Sequence, residues 1–298
     1  MKLNGVEIEH TFAEAFKMTA TRILITAINP HWARQAATTM TGFATSVIGC
    51  GVEAGIGRDV PAAETPDGRP GVTVLLFAMS EKDLVKQLGN RLGQCVLTCP
   101  TTAVFSDLDS DKPIPLGKNL RYFGDGFQIS KRFGKRRYWR VPVMDGEFIC
   151  EEMTARVGAV GGGNFLVLAA TQAQALAACE AAVAATRDLP NVILPFPGGI
   201  VRSGSKVGSK YKGLFASTND AYCPTLRGVT RSQLTPETGA VMEIVIDGLT
   251  DGEVAEAMRR GIQAACALGA AAGVQKISAG NYGGKLGQFQ FHLREVLA

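Results

Sequence analysis

The feature of this sequence that most constrains its fold is an internal duplication. A strand-like apolar run, a helical pattern and a second short strand follow one another in the first copy at residues 22–27, 30–40 and 45–48. The same succession returns in the second copy at residues 165–169, 173–186 and 192–194. Apolar runs that alternate with helical periodicity predict these elements. In each copy a polar residue, Asn29 or Thr171, precedes the helix and can cap its first turn.

The second half of this unit is duplicated as well. Residues 71–78 and 240–247 are apolar runs of strand length, and each is followed by a capping residue, Ser80 or Thr250. Behind both caps the apolar residues recur at the spacing of one helix face. A fourth strand is expected in the first copy at residues 95–98 or 103–105, and in the second at residues 274–278.

The resulting order, β-α-β-β-α-β, is that of ferredoxin-like folds, in which helices cover one face of an antiparallel sheet. We therefore predict an α+β protein with two pseudo-equivalent ferredoxin-like lobes. Short alternating runs with glycine turns predict an inserted β-meander at residues 121–152. The predicted domains are an N-terminal lobe that includes this meander, residues 1–157, and a C-terminal lobe, residues 158–298.

Composition narrows the class of protein. Hydrophobic residues make up 46% of the 298 positions, which is ample for a core. The most apolar stretch, residues 166–185, is interrupted by polar side chains and does not predict a membrane span. The first residues carry acids and lack the apolar segment of a secretory signal. The seven cysteines are odd in number and form no Cys-x-x-Cys pair, which favours free thiols in a reducing compartment. Together these features predict a cytoplasmic protein with no membrane partner.

Glycine-rich segments indicate where a site could lie. Such segments occur at residues 43–57, 160–164 and 196–204, and glycine allows a backbone to approach a ligand closely. The last segment leads into a basic one, which favours a cleft for a large anionic ligand; its cations are Arg202, Lys206, Lys210 and Lys212. Tight loops without a ligand are the alternative. The Ser-Lys order at 205–206 reverses that of a phosphate loop, so no nucleotide site is predicted.

The sequence offers few candidate residues for a metal site or for covalent catalysis. The chain has three histidines, His10, His31 and His292, and none is spaced to share a metal with another. No Gly-x-Ser-x-Gly elbow or Cys-His arrangement predicts a covalent intermediate. We therefore expect no metal site, and a direct transfer between bound substrates would need none of these groups.

A basic run at residues 131–140 interleaves six cations with aromatic side chains. RNA binding is one interpretation of such a strand. A solvated hairpin, or contact with an acidic tail or a neighbouring subunit, is the commoner meaning. We expect no nucleic-acid partner.

Glu243 is a carboxylate that interrupts an apolar strand. It occupies the position where the aligned first copy has Val74. If Glu243 faces a cleft with apolar walls, desolvation raises its pKa toward neutrality and leaves an acid that can donate a hydrogen bond to an oxyanion. A solvent-facing glutamate on an exposed sheet face is the alternative.

Several long motifs resemble one known family. They are residues 4–9 (NGVEIE), 11–16 (TFAEAF), 64–73 (ETPDGRPGVT), 123–126 (FGDG), 195–201 (PFPGGIV), 205–210 (SKVGSK), 216–225 (ASTNDAYCPT) and 276–287 (KISAGNYGGKLG). Together they resemble the formylmethanofuran:tetrahydromethanopterin formyltransferases from the first residues to the last. The resemblance implies reversible formyl transfer between the amine of methanofuran, or of a methylofuran-type relative, and N5 of tetrahydromethanopterin.

The resemblance also implies a mechanism and a set of site residues. The family forms a ternary complex without a prosthetic group, and its key protonated acid corresponds to Glu243 as the catalytic residue. Further motif residues are expected to bind the two carriers: Ser205, Lys206, Lys210, Asn219, Asp220 and Tyr222.

The expected partners follow from the same resemblance. Family enzymes are homo-oligomers, so a dimer or tetramer is expected here. The near-neutral charge balance of this chain is closer to that of the enzymes of methylotrophic bacteria. In those bacteria the enzyme works within a formyltransferase/hydrolase complex that ends in formate. The basic run departs from the archaeal pattern and could face an acidic subunit or a polyglutamyl tail. A non-catalytic assembly subunit and a formate-releasing hydrolase remain as alternatives, although a hydrolase would need a metal for which this chain has few ligands.

Overall fold

The computed structural model describes residues 1–298, and its strands and helices are numbered here in chain order. The strands are β1 Lys2–Leu3, β2 Val6–Ile8, β3 Phe12–Thr26, β4 Glu53–Val60, β5 Gly71–Ala78, β6 Ala103–Ser106, β7 Pro113–Pro115, β8 Ile129–Phe133, β9 Arg136–Val143, β10 Gly146–Glu151, β11 Met153–Ala155, β12 Val157–Ala169, β13 Val192–Ile193, β14 Lys206–Val207, β15 Ala216–Ser217, β16 Ala240–Gly248, β17 Val274–Ser278 and β18 Phe289–His292. The α-helices are α1 Pro30–Thr41, α2 Val47–Cys50, α3 Glu81–Arg91, α4 Gly117–Leu120, α5 Gln172–Thr186, α6 Asp251–Ala267 and α7 Leu293–Val296. A π-helical turn follows α3 at Leu92–Val96, and short 3-10 turns lie at Ala62–Glu64, Arg121–Gly124, Pro197–Gly199, Asp220–Tyr222, Pro224–Leu226 and Ala270–Ala272.

Side-chain caps begin the four long helices as the sequence predicts. Asn29 accepts a hydrogen bond from the Trp32 N–H in front of α1, where Pro30 takes the first helical position. Ser80, Thr171 and Thr250 do the same for α3, α5 and α6. Because each cap satisfies an N–H that the helix leaves unpaired, these starts are fixed locally.

Contacts between residues divide the chain into two units. The N-terminal unit is Met18–Ala159, and the C-terminal unit consists of Met1–Lys17 and Val160–Ala298. The predicted division kept residues 1–17 in the N-terminal lobe. These residues belong to the C-terminal unit because β2 runs parallel to β17 and the start of β3 pairs with β18.

The N-terminal unit has the antiparallel strand order β6-β3-β5-β4. Its helices α1 and α3 cover one face of this sheet, where Val72, Val74 and Leu76 point into a core completed by helix residues such as Met40 and Leu88. Strands β8, β9 and β10 form the predicted meander, and β10 extends the sheet by running parallel to β6. This is the ferredoxin-like arrangement expected of the first copy.

The C-terminal unit repeats the arrangement with the order β17-β12-β16-β13, again antiparallel throughout. Helices α5 and α6 pack on one face, against Phe165, Ile244 and Ile246. The α+β class with two ferredoxin-like copies is therefore confirmed. None of the helices combines the length and apolar character that crossing a membrane requires.

One predicted strand of the first copy is wrong in position, and for another the structure decides between the two predicted alternatives. Residues 45–48 do not form the second strand, because Ser46 caps the short helix α2, and the strand is β4 instead. Residues 95–98 belong to helical turns, so the fourth strand is the alternative one at β6.

Candidate active site

Glu243 lies in the middle of β16, between two backbone partners. On one side β16 pairs with β12, where Leu166 stands opposite Glu243. On the other side β13 ends after two residues, and the chain returns at Val201 to form a single bridge with Glu243. In that bridge the Val201 N–H donates to the Glu243 carbonyl at 2.8 Å, and the Glu243 N–H donates to the Val201 carbonyl at 2.9 Å. The backbone around Glu243 is thus held from both sides.

The Glu243 side chain points away from the helices, because its neighbour Ile244 and the next alternate residue Ile246 enter the core. On this outer face it lines a pocket with a volume of about 30 Å³. The pocket is lined by Leu166, Val201, Arg202, Ser203, Gly204, Asn219, Tyr222, Cys223, Val241, Met242 and Glu243. Its apolar walls come from the strands, and its polar groups come from the segments before and after β14 and β15.

Burial raises the pKa of Glu243 from 4.5 to about 7. The residue is half-buried by surface area, but protein atoms surround the carboxyl in the pocket and displace its water. Desolvation disfavours the charged form of a carboxyl group. Near neutral pH the group is therefore present as acid and carboxylate in roughly equal amounts.

Gly204 keeps the space beside this carboxyl open. Its φ of 55° is in the left-handed region. A Cβ at this position would lie 3.0 Å from the Asn219 Cβ and 3.9 Å from Glu243 Oε2. Any larger residue would press on Asn219 and narrow the approach to Glu243.

Asn219 and Tyr222 reach the pocket through the 3-10 turn Asp220–Tyr222, in which the Tyr222 N–H donates to the Asn219 carbonyl at 3.0 Å. The Tyr222 hydroxyl lies 3.1 Å from the Ser278 hydroxyl on β17. Burial raises the pKa of Tyr222, so this phenol stays neutral and can donate or accept a hydrogen bond.

The other predicted binding residues lie next to the pocket and do not line it. Lys206 donates to Asp220 Oδ1 at 2.7 Å, and this hydrogen bond is the main reason that the pKa of Asp220 is lowered. The Lys210 charge lowers the same pKa, although the Lys210 side chain is exposed. The Ser205 hydroxyl lies 3.3 Å from the Tyr282 hydroxyl.

Of the seven predicted site residues, the structure thus brings Asn219, Tyr222 and Glu243 together in one pocket. Three further polar residues line the pocket: Arg202, Ser203 and Cys223. The sequence predicts Arg202 only as a cation of the basic segment, and it does not predict Ser203 or Cys223. Arg202 and Ser203 lie between the motifs 195–201 and 205–210, and Cys223 lies within the motif 216–225. This closeness to the motifs is the signal that could have found them. Residues 1–298 contain no cluster of three or more His, Cys, Asp or Glu side chains able to hold a metal ion.

The duplicated strands show that the equivalent of Glu243 is Thr73, not Val74. Counting back from the caps Thr250 and Ser80 by the same number of residues reaches Glu243 and Thr73. Val74 points into the helix-covered core, as Ile244 does. The sequence alignment was therefore wrong by one residue, which in a strand exchanges the two faces.

Sequence comparison identifies the family. A family profile described as formylmethanofuran-tetrahydromethanopterin formyltransferase matches residues 1–143, and the profile of the proximal lobe of the same family matches residues 146–296. The chain belongs to this family. The family predicted from the sequence motifs is confirmed, and the chain is a formyltransferase.

Relatives of the formyltransferase span its whole length. The formylmethanofuran–tetrahydromethanopterin formyltransferase of Methylococcus capsulatus is 69% identical, with 100% of both chains covered. A subunit of the formyltransferase/hydrolase complex of Methylorubrum extorquens is 57% identical, with 99% of this chain and 97% of that one covered.

Two solved structures share the fold of the formyltransferase. One is the formyltransferase/hydrolase complex of Methylorubrum extorquens with methylofuran, in which the matching chain has a TM-score of 0.97, 56% identity, and coverage of 100% of this chain and 99% of that one. The other is the enzyme of Methanosarcina barkeri, with a TM-score of 0.92, 48% identity, and coverage of 99% and 100%.

Proposed function

We propose that the enzyme moves a formyl group reversibly between N5 of tetrahydromethanopterin and the primary amine of methanofuran or methylofuran, with Glu243 as the acid that stabilises the oxyanion. The names of the relatives and the complex with methylofuran support the two carriers as co-substrates. The observation that carries the role of Glu243 is the position of its carboxyl in an apolar-walled pocket with a pKa of about 7.

The transfer needs one new C–N bond and the loss of another. The nitrogen of the accepting carrier attacks the formyl carbon, and the π electrons of the carbonyl move to its oxygen. The neutral Glu243 carboxyl donates a hydrogen bond to this oxygen as its charge grows. When the carbonyl re-forms, the bond to the donor nitrogen breaks; the donor nitrogen gains a proton and the accepting nitrogen loses one.

Two effects lower the free-energy barrier of the transfer, and their sizes are known from other enzymes. One well-placed donor to an oxyanion supplies about 3 kcal/mol of transition-state stabilisation. Holding both carriers in one complex supplies more, because it converts a bimolecular step into a unimolecular one. A cavity of about 30 Å³ suits a group of formyl size but neither whole carrier. The carriers therefore extend outside the pocket.

Residues around the pocket would bind those extensions. Asn219 and Tyr222 offer amide and phenol groups within it. Outside it, the ion pair of Lys206 with Asp220 and the exposed Lys210 supply charge and hydrogen-bond donors to polar or anionic parts of a carrier. Ser205 contributes a hydroxyl beside Tyr282.

We also propose that the enzyme works in the cytoplasm as a homo-oligomer or as part of a formyltransferase/hydrolase complex. A 57% identical relative is named as one component of such a complex. Purification from its native cells under mild conditions, followed by mass determination of the assembly, distinguishes the two. Copies of this chain alone support the homo-oligomer, while co-purified hydrolase subunits support the complex.

The test of the reaction is formyl exchange between purified N5-formyltetrahydromethanopterin and methanofuran, repeated with methylofuran. Wild type, Glu243→Gln and Glu180→Gln are compared, because Glu180 is an exposed carboxylate on α5 and its substitution changes the charge equally. We expect transfer by wild type and Glu180→Gln, and a loss of about a hundredfold or more in Glu243→Gln. A folded wild type that transfers nothing would instead support an assembly role. Full activity in Glu243→Gln would remove Glu243 from the mechanism.

A further inference from the structure

Glu14 is a buried carboxylate that the transfer reaction does not use directly. It lies on β3 in the C-terminal unit, and only 1% of the residue is exposed. Four backbone N–H groups donate to it: those of Tyr282 and Gly284 to Oε2 at 2.6 and 2.8 Å, and those of Leu286 and Gly287 to Oε1, both at 2.6 Å. Burial alone would raise the pKa of Glu14, but these four donors hold it below 4.5, so the group is a carboxylate.

The segment that supplies these donors, residues 280–287, is wrapped around the carboxylate. Gly283 and Gly284 have φ angles of 80° and 72°, which turn successive N–H groups toward one point. Gly287 is packed so closely that a Cβ there would lie 2.7 Å from the Glu14 Cγ. The Glu14 carboxylate therefore lies inside the turn and satisfies four of its backbone N–H groups.

The same turn presents Tyr282 toward the candidate active site. The Tyr282 ring lies 6.0 Å from that of Phe16, centroid to centroid, and its hydroxyl lies 3.3 Å from the Ser205 hydroxyl. Ser205 directly follows Gly204, the residue that keeps the space beside Glu243 open. A continuous line of contacts runs from Glu14 through Tyr282 to the wall of the pocket.

We infer that Glu14 is a positioning residue, whose carboxylate shapes the turn at residues 280–287 and so holds Tyr282 against Ser205 where a carrier passes the pocket. This inference rests on the proposed function for its effect on transfer. Its structural part, the clamp of four N–H groups, is independent of any activity. A residue that acts in this way affects the binding of a carrier more than the chemical step.

The first experiment measures the clamp without substrate, by amide hydrogen exchange of wild type, Glu14→Gln and Glu180→Gln. An amide at position 14 puts an NH₂ group against two N–H donors and removes the charge. We expect the amides of residues 282, 284, 286 and 287 to lose protection at least about tenfold in Glu14→Gln, while β16 amides and the Glu180→Gln protein are unchanged. Rapid exchange of these four amides in the wild type would overturn the clamp.

The second experiment is a double-variant cycle of Glu14→Gln with Tyr282→Phe, which removes only the hydroxyl that faces Ser205. We expect Glu14→Gln to raise the KM of methanofuran or tetrahydromethanopterin about tenfold and to change kcat less than about threefold. In the Tyr282→Phe background the same change should raise KM less than about threefold, because the contact it positions is already absent. Effects that multiply independently would overturn a role through Tyr282.

The two proposals fail in distinguishable ways. If the wild type transfers no formyl group, the proposed function fails, and the cycle is then measured on the Kd of each carrier. If transfer occurs and both KM values stay unchanged in Glu14→Gln, only the positioning role fails. Should Glu14→Gln not fold, Glu14→Asp replaces it in both experiments, because it keeps the charge but is too short to reach all four donors.

Discussion

The two units have the same four-strand, two-helix arrangement, yet at one position on the outer face of the third strand the C-terminal unit has an acid that lines a pocket, and the N-terminal unit has the buried Thr73. The difference lies in the second strand. In the N-terminal unit β4 has eight residues and pairs with β5 along most of its length, whereas in the C-terminal unit β13 has two residues and pairs only with the end of β16. A single bridge from Val201 replaces the missing strand, and the polar segments around it leave the pocket beside Glu243.

At the equivalent position of the N-terminal unit there is no such space. Thr73 is buried, and its hydroxyl accepts a hydrogen bond from the Arg58 N–H at 2.9 Å where β4 is irregular. A Cβ at Gly57 would lie 2.3 Å from the Thr73 hydroxyl, so β4 leaves no room beside this side chain. The two copies thus share one fold but differ in the length of the second strand, and the pocket with its acid lies in the copy where that strand is short.

The largest effect is expected when an acid is placed at the equivalent position of the N-terminal unit. Thr73→Glu would bury a carboxyl beside β4, where Gly57 is packed so closely that a Cβ added to it would lie 2.3 Å from the Thr73 hydroxyl. We expect the N-terminal unit to lose more than about 3 kcal/mol of stability, because a buried carboxyl without partners and overpacking both destabilise. Denaturant unfolding measures this loss, and a variant as stable as wild type would show that space does exist beside β5.

The complementary change closes the pocket in the right copy. Gly204→Ala adds a Cβ that meets Asn219 and lies near Glu243 Oε2, so we expect transfer to fall about tenfold, equivalent to about 1.4 kcal/mol. Gly208→Ala is the matched control, because its φ of 78° carries the same backbone strain but no atom lies within 4 Å of the added Cβ. Formyl exchange measures both variants. Equal losses in the two would assign the effect to strain instead of access to Glu243.

The smallest effect is expected from a change that removes only one hydroxyl group from the N-terminal unit. Thr73→Val keeps the shape of the side chain but removes the hydroxyl that accepts from the Arg58 N–H. We expect stability to fall by about 1–2 kcal/mol and kcat to be unchanged, since Thr73 is outside the site. Unfolding and kinetics are measured on one preparation. A fall in kcat without a fall in stability would give the N-terminal copy a part in the reaction.

Much of the fold could be predicted because its signals are local. The caps Asn29, Ser80, Thr171 and Thr250 and the apolar spacing behind them define each helix within a few residues. The second strand of the first copy could not, because β4 contains two glycines and a charged pair at its irregular part and so lacks the pattern of a strand. β4 forms because it pairs with β5, and this tertiary contact leaves no local pattern in the sequence.

The site was predictable to the extent that a single residue departs from its surroundings. Glu243 does so within an apolar strand. Its carboxyl is buried and its pKa is raised, and a residue that donates a proton near neutral pH needs both properties. Arg202, Ser203 and Cys223 do not, because the bridge at Val201 decides what lies beside the pocket. Glu14 also interrupts an apolar stretch, but its role could not be predicted, because the N–H groups that donate to it follow it by more than 260 residues.

The most direct test of the account is the pKa of Glu243, read from the infrared carboxyl and carboxylate bands of wild type minus Glu243→Gln as the pH is varied. A raised pKa means that the folded protein holds a proton that the unfolded chain releases. The stability contributed by Glu243 relative to glutamine is therefore full below pH 4.5 and is lost as the pH rises to about 7, and transfer should fall above that value. We predict a midpoint near 7 in the absence of substrate. A midpoint near 4.5 would make Glu243 an ordinary carboxylate at neutral pH and contradict its role as the acid.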